Sequence, residues 1–259
     1  MSDNNGRFVW YELMVDNQAA AKAFYGKVLG WGFDDMPMPG KEGQIYSLAK
    51  VGDTPVAGIM LLPDDAKAMG AVASWNGHVG SPDVDAMAAK AKSLGGRVYS
   101  EPMDIPGIGR FAVLADPQGA VILTFKGSGE PMPGPASDAT GSIGWRELCA
   151  VNMAEVRDFY FQLFGWAAGE EYDMGPMGKY QLFTVHGDVT GGMMNKSPEM
   201  PAPFWGYYFN VEGVEAALAR VEAAGGKKLM GPTQVPTGQW VGLAFDDQGV
   251  YFGLLSAAK

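Results

Sequence analysis

The sequence predicts an α+β chain of two tandem modules, each made of two βαβββ units. Three observations predict it. The stretch "VWYELMVDNQAAAKAFYGKVLGW" (residues 9–31) returns without a gap as "GWRELCAVNMAEVRDFYFQLFGW" (residues 144–166). Further pairs follow in the same order: "GQIYSLAKVGD" (43–53) with "GKYQLFTVHGD" (178–188), "VDAMAAKAKSLGG" (84–96) with "VEAALARVEAAGG" (214–226), and "DPQGAVIL" (116–123) with "DDQGVYFG" (246–253). Within each copy, stretches that alternate every second residue are interrupted by apolar residues at helical spacing.

Residues 8–15 alternate like a strand, and Ala21, Phe24, Tyr25 and Val28 then fall on one helical face. Asn17 caps that helix and Gly30 stops it. Strands are expected at 32–36, 45–51 and 56–62, with "VGDT" marking a hairpin. The cycle restarts at "WNGHVG" (75–80). Its helix carries Val84, Met87, Ala88 and Ala91, is capped by Asp83 and ends at Gly95-Gly96. Strands at 97–100, 110–115 and 120–125 complete the first module. The second repeats both helical faces, with Val156, Phe159, Tyr160 and Leu163, then Val214, Ala217, Leu218 and Val221. The modules are expected at 1–126 and 142–259, joined by a Pro/Gly/Ser-rich linker at 127–141.

The chain has 259 residues, 47% hydrophobic and 19% charged, which suits a globular protein and not a disordered one. A formal net charge of −10, with no cluster of Lys and Arg, argues against nucleic acid and against anionic membranes as partners. One cysteine, Cys149, rules out an internal disulfide and a Cys-rich zinc site. "MSDNNGRF" lacks the pattern of a signal peptide, and no apolar run has membrane-spanning length. A cytoplasmic location is expected, as a monomer or a homodimer.

The motifs "FYxxxLGW" and "FYFQLFGW", the "LGG" and "AGG" helix ends, and "DPQG" resemble the glyoxalase / bleomycin-resistance / extradiol-dioxygenase superfamily, the vicinal oxygen chelate proteins. The resemblance covers almost the whole chain and implies tandem vicinal-oxygen-chelate modules, each with a curved mixed sheet around a cleft. In the metal-dependent members a divalent ion in the cleft is chelated by vicinal oxygens of the substrate. Its ligands come from the first strand, the strand before the second helix, the last strand and, in some members, a middle strand. Carried onto this chain, those positions fall on Trp10, Asn76 and Leu123 in the first module and on Trp145, Gly206 and Gly253 in the second. The middle strands, "VAGIML" and "TGGMMN", offer no carboxylate, and the chain holds only two histidines, His78 and His186. Indole, aliphatic and glycine positions do not ligate an ion. Neither a metal nor any other cofactor is expected.

Strand alternation places Trp10, Glu12 and Met14 on the cleft face, with Leu13 and Val15 behind them, and Trp145, Glu147 and Cys149 likewise. With His78, Tyr208 and the apolar Val121, Leu123 and Tyr251, they describe aromatic pockets with a few polar groups, suited to a small, partly aromatic molecule. Arg110 is expected near the mouth opposite Trp240, placed to hold a substrate carboxylate or to pair with Glu12. The expected binding set is therefore Trp10, Glu12, His78, Arg110, Leu123, Trp145, Glu147, Tyr208 and Trp240. Met14, Met60 and Met193 are the methionines placed to touch a ligand. Trp31 and Trp166 are expected to pack under the first helix of each module, and Cys149 to be an inert thiol.

Glu12 and Glu147 are the best catalytic candidates, since a carboxyl buried beside indole gains proton affinity. The alternative is that each glutamate only fixes its strand. Three functional readings follow: a metal-free binder of small molecules; an enzyme of the superfamily, with displaced ligands or with Glu12 as base; and a scaffold whose clefts are vestigial.

Overall fold

The computed structural model describes residues 4–39, 41–129 and 138–259, so most of the expected linker lies outside the described residues. The first module runs β1 (Phe8–Val15), α1 (Gln18–Leu29), β2 (Gly32–Pro37), β3 (Ile45–Val51), β4 (Thr54–Leu61), a short helix α2 (Asp64–Ala68), β5 (Ser74–Gly80), α3 (Val84–Ser93), β6 (Arg97–Ile105), β7 (Gly109–Ala115) and β8 (Val121–Gly127). The second runs β9 (Ile143–Ala150), α4 (Met153–Phe164), β10 (Ala167–Asp173), β11 (Lys179–Val185), β12 (Asp188–Asn195), β13 (Phe204–Asn210), α5 (Val214–Ala223), β14 (Lys227–Gln234), β15 (Trp240–Phe245) and β16 (Tyr251–Ser256). A one-turn 3-10 segment, Gly175–Met177, precedes β11.

Each module builds one curved eight-stranded mixed sheet, in the order β2-β3-β4-β1-β5-β8-β7-β6 and then β10-β11-β12-β9-β13-β16-β15-β14. The pairs β1/β4 and β5/β8, and their counterparts β9/β12 and β13/β16, run parallel. The local signals act as expected. Asn17 accepts from the Ala20 amide at 3.0 Å, Asp83 from Ala86 at 3.0 Å, and Gly30 takes the left-handed conformation (φ 73°) that ends α1. Two elements run beyond expectation. β6 continues to Ile105 because it is an edge strand, where Pro102 deprives no neighbour of a donor and irregular register is tolerated. α2 has five residues and buries none of them, so it leaves no apolar periodicity to read. Among the described residues no helix is long and apolar enough to cross a membrane.

The compact units do not coincide with the sequence modules. One unit takes Met1–Trp10, Asn76–Pro131 and Arg146–Trp205; the other takes Tyr11–Trp75, Met132–Trp145 and Gly206–Lys259. Each therefore joins one βαβββ unit of the first module to one of the second. The repeated motifs supply the joint. In the unit holding α1, the Tyr25 hydroxyl donates to Asp246 Oδ2 at 3.1 Å and accepts from the Trp75 indole at 2.9 Å. Asp246 Oδ1 accepts from the amides of Gln248 and Val250, and the Gln248 side chain forms two hydrogen bonds with the backbone of Asn17. In the unit holding α4, Tyr160 donates to Asp116 at 2.9 Å and accepts from Trp205 at 3.0 Å, while Gln118 clasps Asn152.

Trp31 stacks on Tyr25 and Trp166 on Tyr160, which places both indoles under the first helix of their modules. Their ring nitrogens donate to the carbonyls of Gly141 and Gly6. The second glycine of each "GG" pair makes room for the joint. A Cβ at Gly226 would stand 2.8 Å from the Phe24 ring, and one at Gly96 would stand 2.7 Å from the Phe159 ring.

Tyr25 is fully buried, so Tyr25→Phe leaves Asp246 Oδ2 and the Trp75 N–H short of a partner without emptying the site. The variant is expected to lose about 1–3 kcal/mol of unfolding free energy in urea with an unchanged m value, as is Tyr160→Phe. A loss below about 0.5 kcal/mol in both would show that the joint does not rest on these hydroxyls.

Candidate functional site

Strand β1 buries Tyr11, Glu12, Leu13 and Val15 and leaves Trp10 and Met14 half-buried. Leu13 and Val15 are fully buried on one face, and Trp10, Glu12 and Met14 share the other. Glu12 sits opposite Gly58 of β4, and Met14 opposite Met60. On the adjacent strand Leu48 pairs with Gly58, which brings Tyr46, two residues earlier, onto the same face. A Cβ at Gly58 would overlap the Tyr46 ring and hydroxyl, so only glycine lets this tyrosine lie over the sheet. From there the Tyr46 hydroxyl donates to the Glu12 carboxyl. Burial raises the Glu12 pKa to about 7, and the tyrosine bond offsets part of that rise.

The second module repeats the arrangement. Glu147 pairs with Gly192, the Tyr180 ring occupies the space a Cβ there would need, and the Tyr180 hydroxyl donates to Glu147 Oε2 at 2.8 Å. Cys149 is buried beside it, with Sγ 3.8 Å from Glu147 Oε1. Burial and the neighbouring carboxyl push its thiol well up, which keeps it protonated and unreactive.

These tyrosines are absent from the residues read off the sequence. The gap-free pairing of 43–53 with 178–188 sets Tyr46 against Gln181, whereas the register on Gly58 and Gly192 sets Tyr46 against Tyr180. A one-residue slip hides the partner of each glutamate. The same register corrects the methionine expectation. Met193 is fully buried and pairs with Leu148, so Met194, opposite Cys149, is the residue on the glutamate face.

Elsewhere the expected residues divide. His78 is buried opposite Leu123, with its ring 6.1 Å from that of Phe125, and burial alone lowers its pKa to about 4, so it is neutral at physiological pH. The Tyr208 ring lies over Gly253, filling the space that a side chain there would take. Trp145 is half-buried on β9.

Arg110 and Trp240 are corrected. Arg110 forms ion pairs with Asp85, in the first turn of α3, and with Asp104, so it lies on the helix side of its sheet and is not paired with Glu12. Trp240 shares its face with Gly242, where a Cβ would meet Val214 and Leu218 of α5, and the Lys259 ammonium lies 5.9 Å from its ring. Both side chains therefore lie on the faces that pack against α3 and α5, not opposite one another at a cleft mouth. His186 is exposed on the β11–β12 turn, with Nε2 2.7 Å from the Asn5 carbonyl.

Among the described residues no group of three or more His, Cys, Asp or Glu side chains is placed to hold a metal ion. The residues at the expected ligand positions, indole, amide, leucine and glycine, do not fit a divalent ion that requires His and carboxylate donors. Each module thus sets one buried carboxyl against one tyrosine hydroxyl, a pair able to exchange a hydrogen bond or a proton.

A family model described as the Glyoxalase/Bleomycin resistance protein/Dioxygenase superfamily matches residues 7–123 and 142–254. CFP32 of Mycobacterium tuberculosis, which carries the provisional name of a glyoxylase, is 31% identical across 96% of this chain and 94% of its own. The anthracycline biosynthesis protein DnrV of Streptomyces peucetius is 28% identical across 96% of this chain and 93% of its own. Among solved structures, the Mn(II)-bound glyoxalase of Novosphingobium aromaticivorans superposes with a TM-score of 0.64 at 17% identity, over 98% of this chain and 83% of that one. The 2,3-dioxygenase LapB of Pseudomonas sp. KL28 also gives 0.64 at 17% identity, over 98% and 92%. At such identities the likeness is one of fold.

Between pH 4.5 and about 7 the folded chain holds a proton on Glu12 that the unfolded chain has released. Stability from this group is thus fully present below pH 4.5 and is lost as pH rises through 7. Glu12→Gln keeps an acceptor for Tyr46 and removes the titration. The variant is expected to match the parent at pH 4 and to exceed it at pH 8 by about 3 kcal/mol, from a pKa moved from 4.5 to about 7. Parallel stability curves for the two proteins across pH 4–8 would show that Glu12 has an ordinary pKa.

Proposed function

Because the chain belongs to the Glyoxalase/Bleomycin resistance protein/Dioxygenase superfamily, we propose that it is a metal-free member that binds a small, partly aromatic or polar organic molecule in the cytoplasm. One observation carries this reading. The positions at which the superfamily's metal enzymes place their ligands hold Trp10, Asn76 and Leu123, and Trp145, Gly206 and Gly253, while each module keeps a buried glutamate held by a tyrosine. Trp10 and Glu12, with Trp145 and Glu147, supply the aromatic and hydrogen-bonding contacts, and His78, Leu123 and Tyr208 supply further wall. Met14, Met60 and Met194 give an adaptable apolar surface. The relatives named for anthracycline biosynthesis support an aromatic ligand. The modules of this reading span 1–126 and 142–259, and the acidic net charge keeps nucleic acid out of the list of partners.

A second reading has its own observation. A carboxyl with a pKa of about 7 is half-ionised at working pH, the condition in which a general base is most effective. In this reading Glu12 removes a proton from the bound molecule, and the chain is an enzyme without an ion.

Calorimetric titration with a panel of polar aromatics, quinones and antibiotics, run with and without EDTA, tests the proposal. At least one compound is expected to bind with a Kd in the micromolar range, about −8 kcal/mol, unchanged by the chelator. No binding across the panel, or binding that needs an added divalent ion, would contradict it. Turnover of a bound compound that disappears in Glu12→Gln, with binding retained, would establish the second reading.

A further inference from the structure

Each glutamate lies beneath the tyrosine that bonds it. Glu12 and Glu147 are each 8% exposed, whereas Tyr46 and Tyr180 are half-buried. The ring is the outer layer and the carboxyl the inner one, so a molecule from solution meets the tyrosine first. Gly58 and Gly192 sit within β4 and β12 and neither takes a left-handed backbone, so no turn calls for a glycine there. The missing Cβ provides room for a ring: one at Gly58 would overlap the Tyr46 hydroxyl, and one at Gly192 the ring and hydroxyl of Tyr180. The bond from hydroxyl to carboxyl fastens each ring in that seat. Tyr46 is the second residue of β3, after the exposed residues 41–45, and Tyr180 is the second residue of β11, close to the exposed 175–177. Each ring thus stands at a strand start bordered by solvent, and a change of χ1 rotamer takes it off its glycine.

We propose that Tyr46 and Tyr180 are gates: in this structure each ring fills its glycine seat and caps its glutamate, and a molecule from solution reaches Glu12 or Glu147 only after the ring has swung off the glycine. The proposal rests on the reading that the chain binds a small organic molecule at these strand faces, and adds how entry to them is controlled. A seated ring competes with the ligand for the same carboxyl and the same floor. The measured affinity is then the intrinsic affinity scaled by the fraction of chains whose gate is open. A hydrogen bond to a carboxyl is a strong one, which keeps that fraction small.

Two measurements on the full chain test it. Carbodiimide coupling of an amine to carboxyls, read residue by residue by mass spectrometry, reports when each glutamate is uncovered. Glu12 is expected to label at least about tenfold faster in Tyr46→Ala and in Gly58→Ala, and Glu147 in Tyr180→Ala and in Gly192→Ala, because each variant raises the open fraction. The glutamate of the other module is expected to keep the parent rate. Gly58→Ala and Gly192→Ala retain the tyrosine and displace it, so they also serve should a tyrosine variant fail to fold. An unchanged rate overturns the proposal, as does equal acceleration of both glutamates by one substitution, which marks general loosening and not a gate. Calorimetric titration with anthraquinone-2-sulfonate supplies the second measurement. The double variant Tyr46→Phe/Tyr180→Phe, which keeps the rings and releases the carboxyls, is expected to bind it at least about threefold more tightly than the parent. Equal or weaker binding makes the hydroxyls bystanders or ligand contacts and overturns the gate. Accelerated labelling with no binding by parent or variant leaves the gate in place and sinks the binder reading.

Discussion

The hydrogen bond from Tyr25 to Asp246, with its counterpart from Tyr160 to Asp116, is the contact around which each compact unit is assembled. Each aspartate is buried and faces a desolvation cost that raises its pKa, and each meets that cost with backbone amides of its own turn and one tyrosine hydroxyl. Losing any member would strand a buried polar group, so the set stands or falls together. The glutamine two residues on clasps the N-cap of the helix that carries the tyrosine, the tryptophan six residues past the tyrosine stacks on its ring, and a glycine admits the neighbouring phenylalanine. The "FY", "GW", "GG" and "D-x-Q-G" motifs are therefore parts of one joint.

That placement bears on function. The hydrogen bonds of the joint come from helix and turn residues and from Trp75 of β5 and Trp205 of β13, not from the strand face that carries Trp10, Glu12 and Met14. A chain can lose the donors that would bind an ion at that face without losing its fold, because no metal–ligand bond contributes to the joint. What stands there instead is a carboxyl, a tyrosine and a glycine in matched register, once in each module. A buried ionisable group is a poor device for stability alone, since an apolar side chain of similar volume often serves as well. The carboxyl, the tyrosine and the glycine that seats it, repeated in both modules, are what the proposed ligand-binding role rests on.

Much of the fold was legible because its signals are local. Asn17 and Gly30 bound α1, Asp83 opens α3, and duplication repeats each signal, so errors in one copy are checked by the other. The site was legible in part. Glu12 and Glu147 stood out because charged residues interrupt buried strands. Tyr46 and Tyr180 did not, because they look like ordinary strand aromatics and a one-residue shift between the copies separates them. Arg110 and Trp240 were misplaced because their neighbours come from packing and not from the local stretch: the ion pair with Asp85 depends on how α3 lies on β7. The Tyr–Asp contacts join residues more than forty positions apart, and nothing in either local stretch announces them.

The central claim is that the glutamate-bearing strand faces hold an organic molecule and not an ion. Anomalous diffraction from crystals grown with millimolar Mn(II) tests it most directly. The account predicts no ordered anomalous peak bound by side chains of β1, β5 or β8, nor by those of β9, β13 or β16. A well-occupied peak within bonding distance of Glu12, His78 or Glu147 would contradict it.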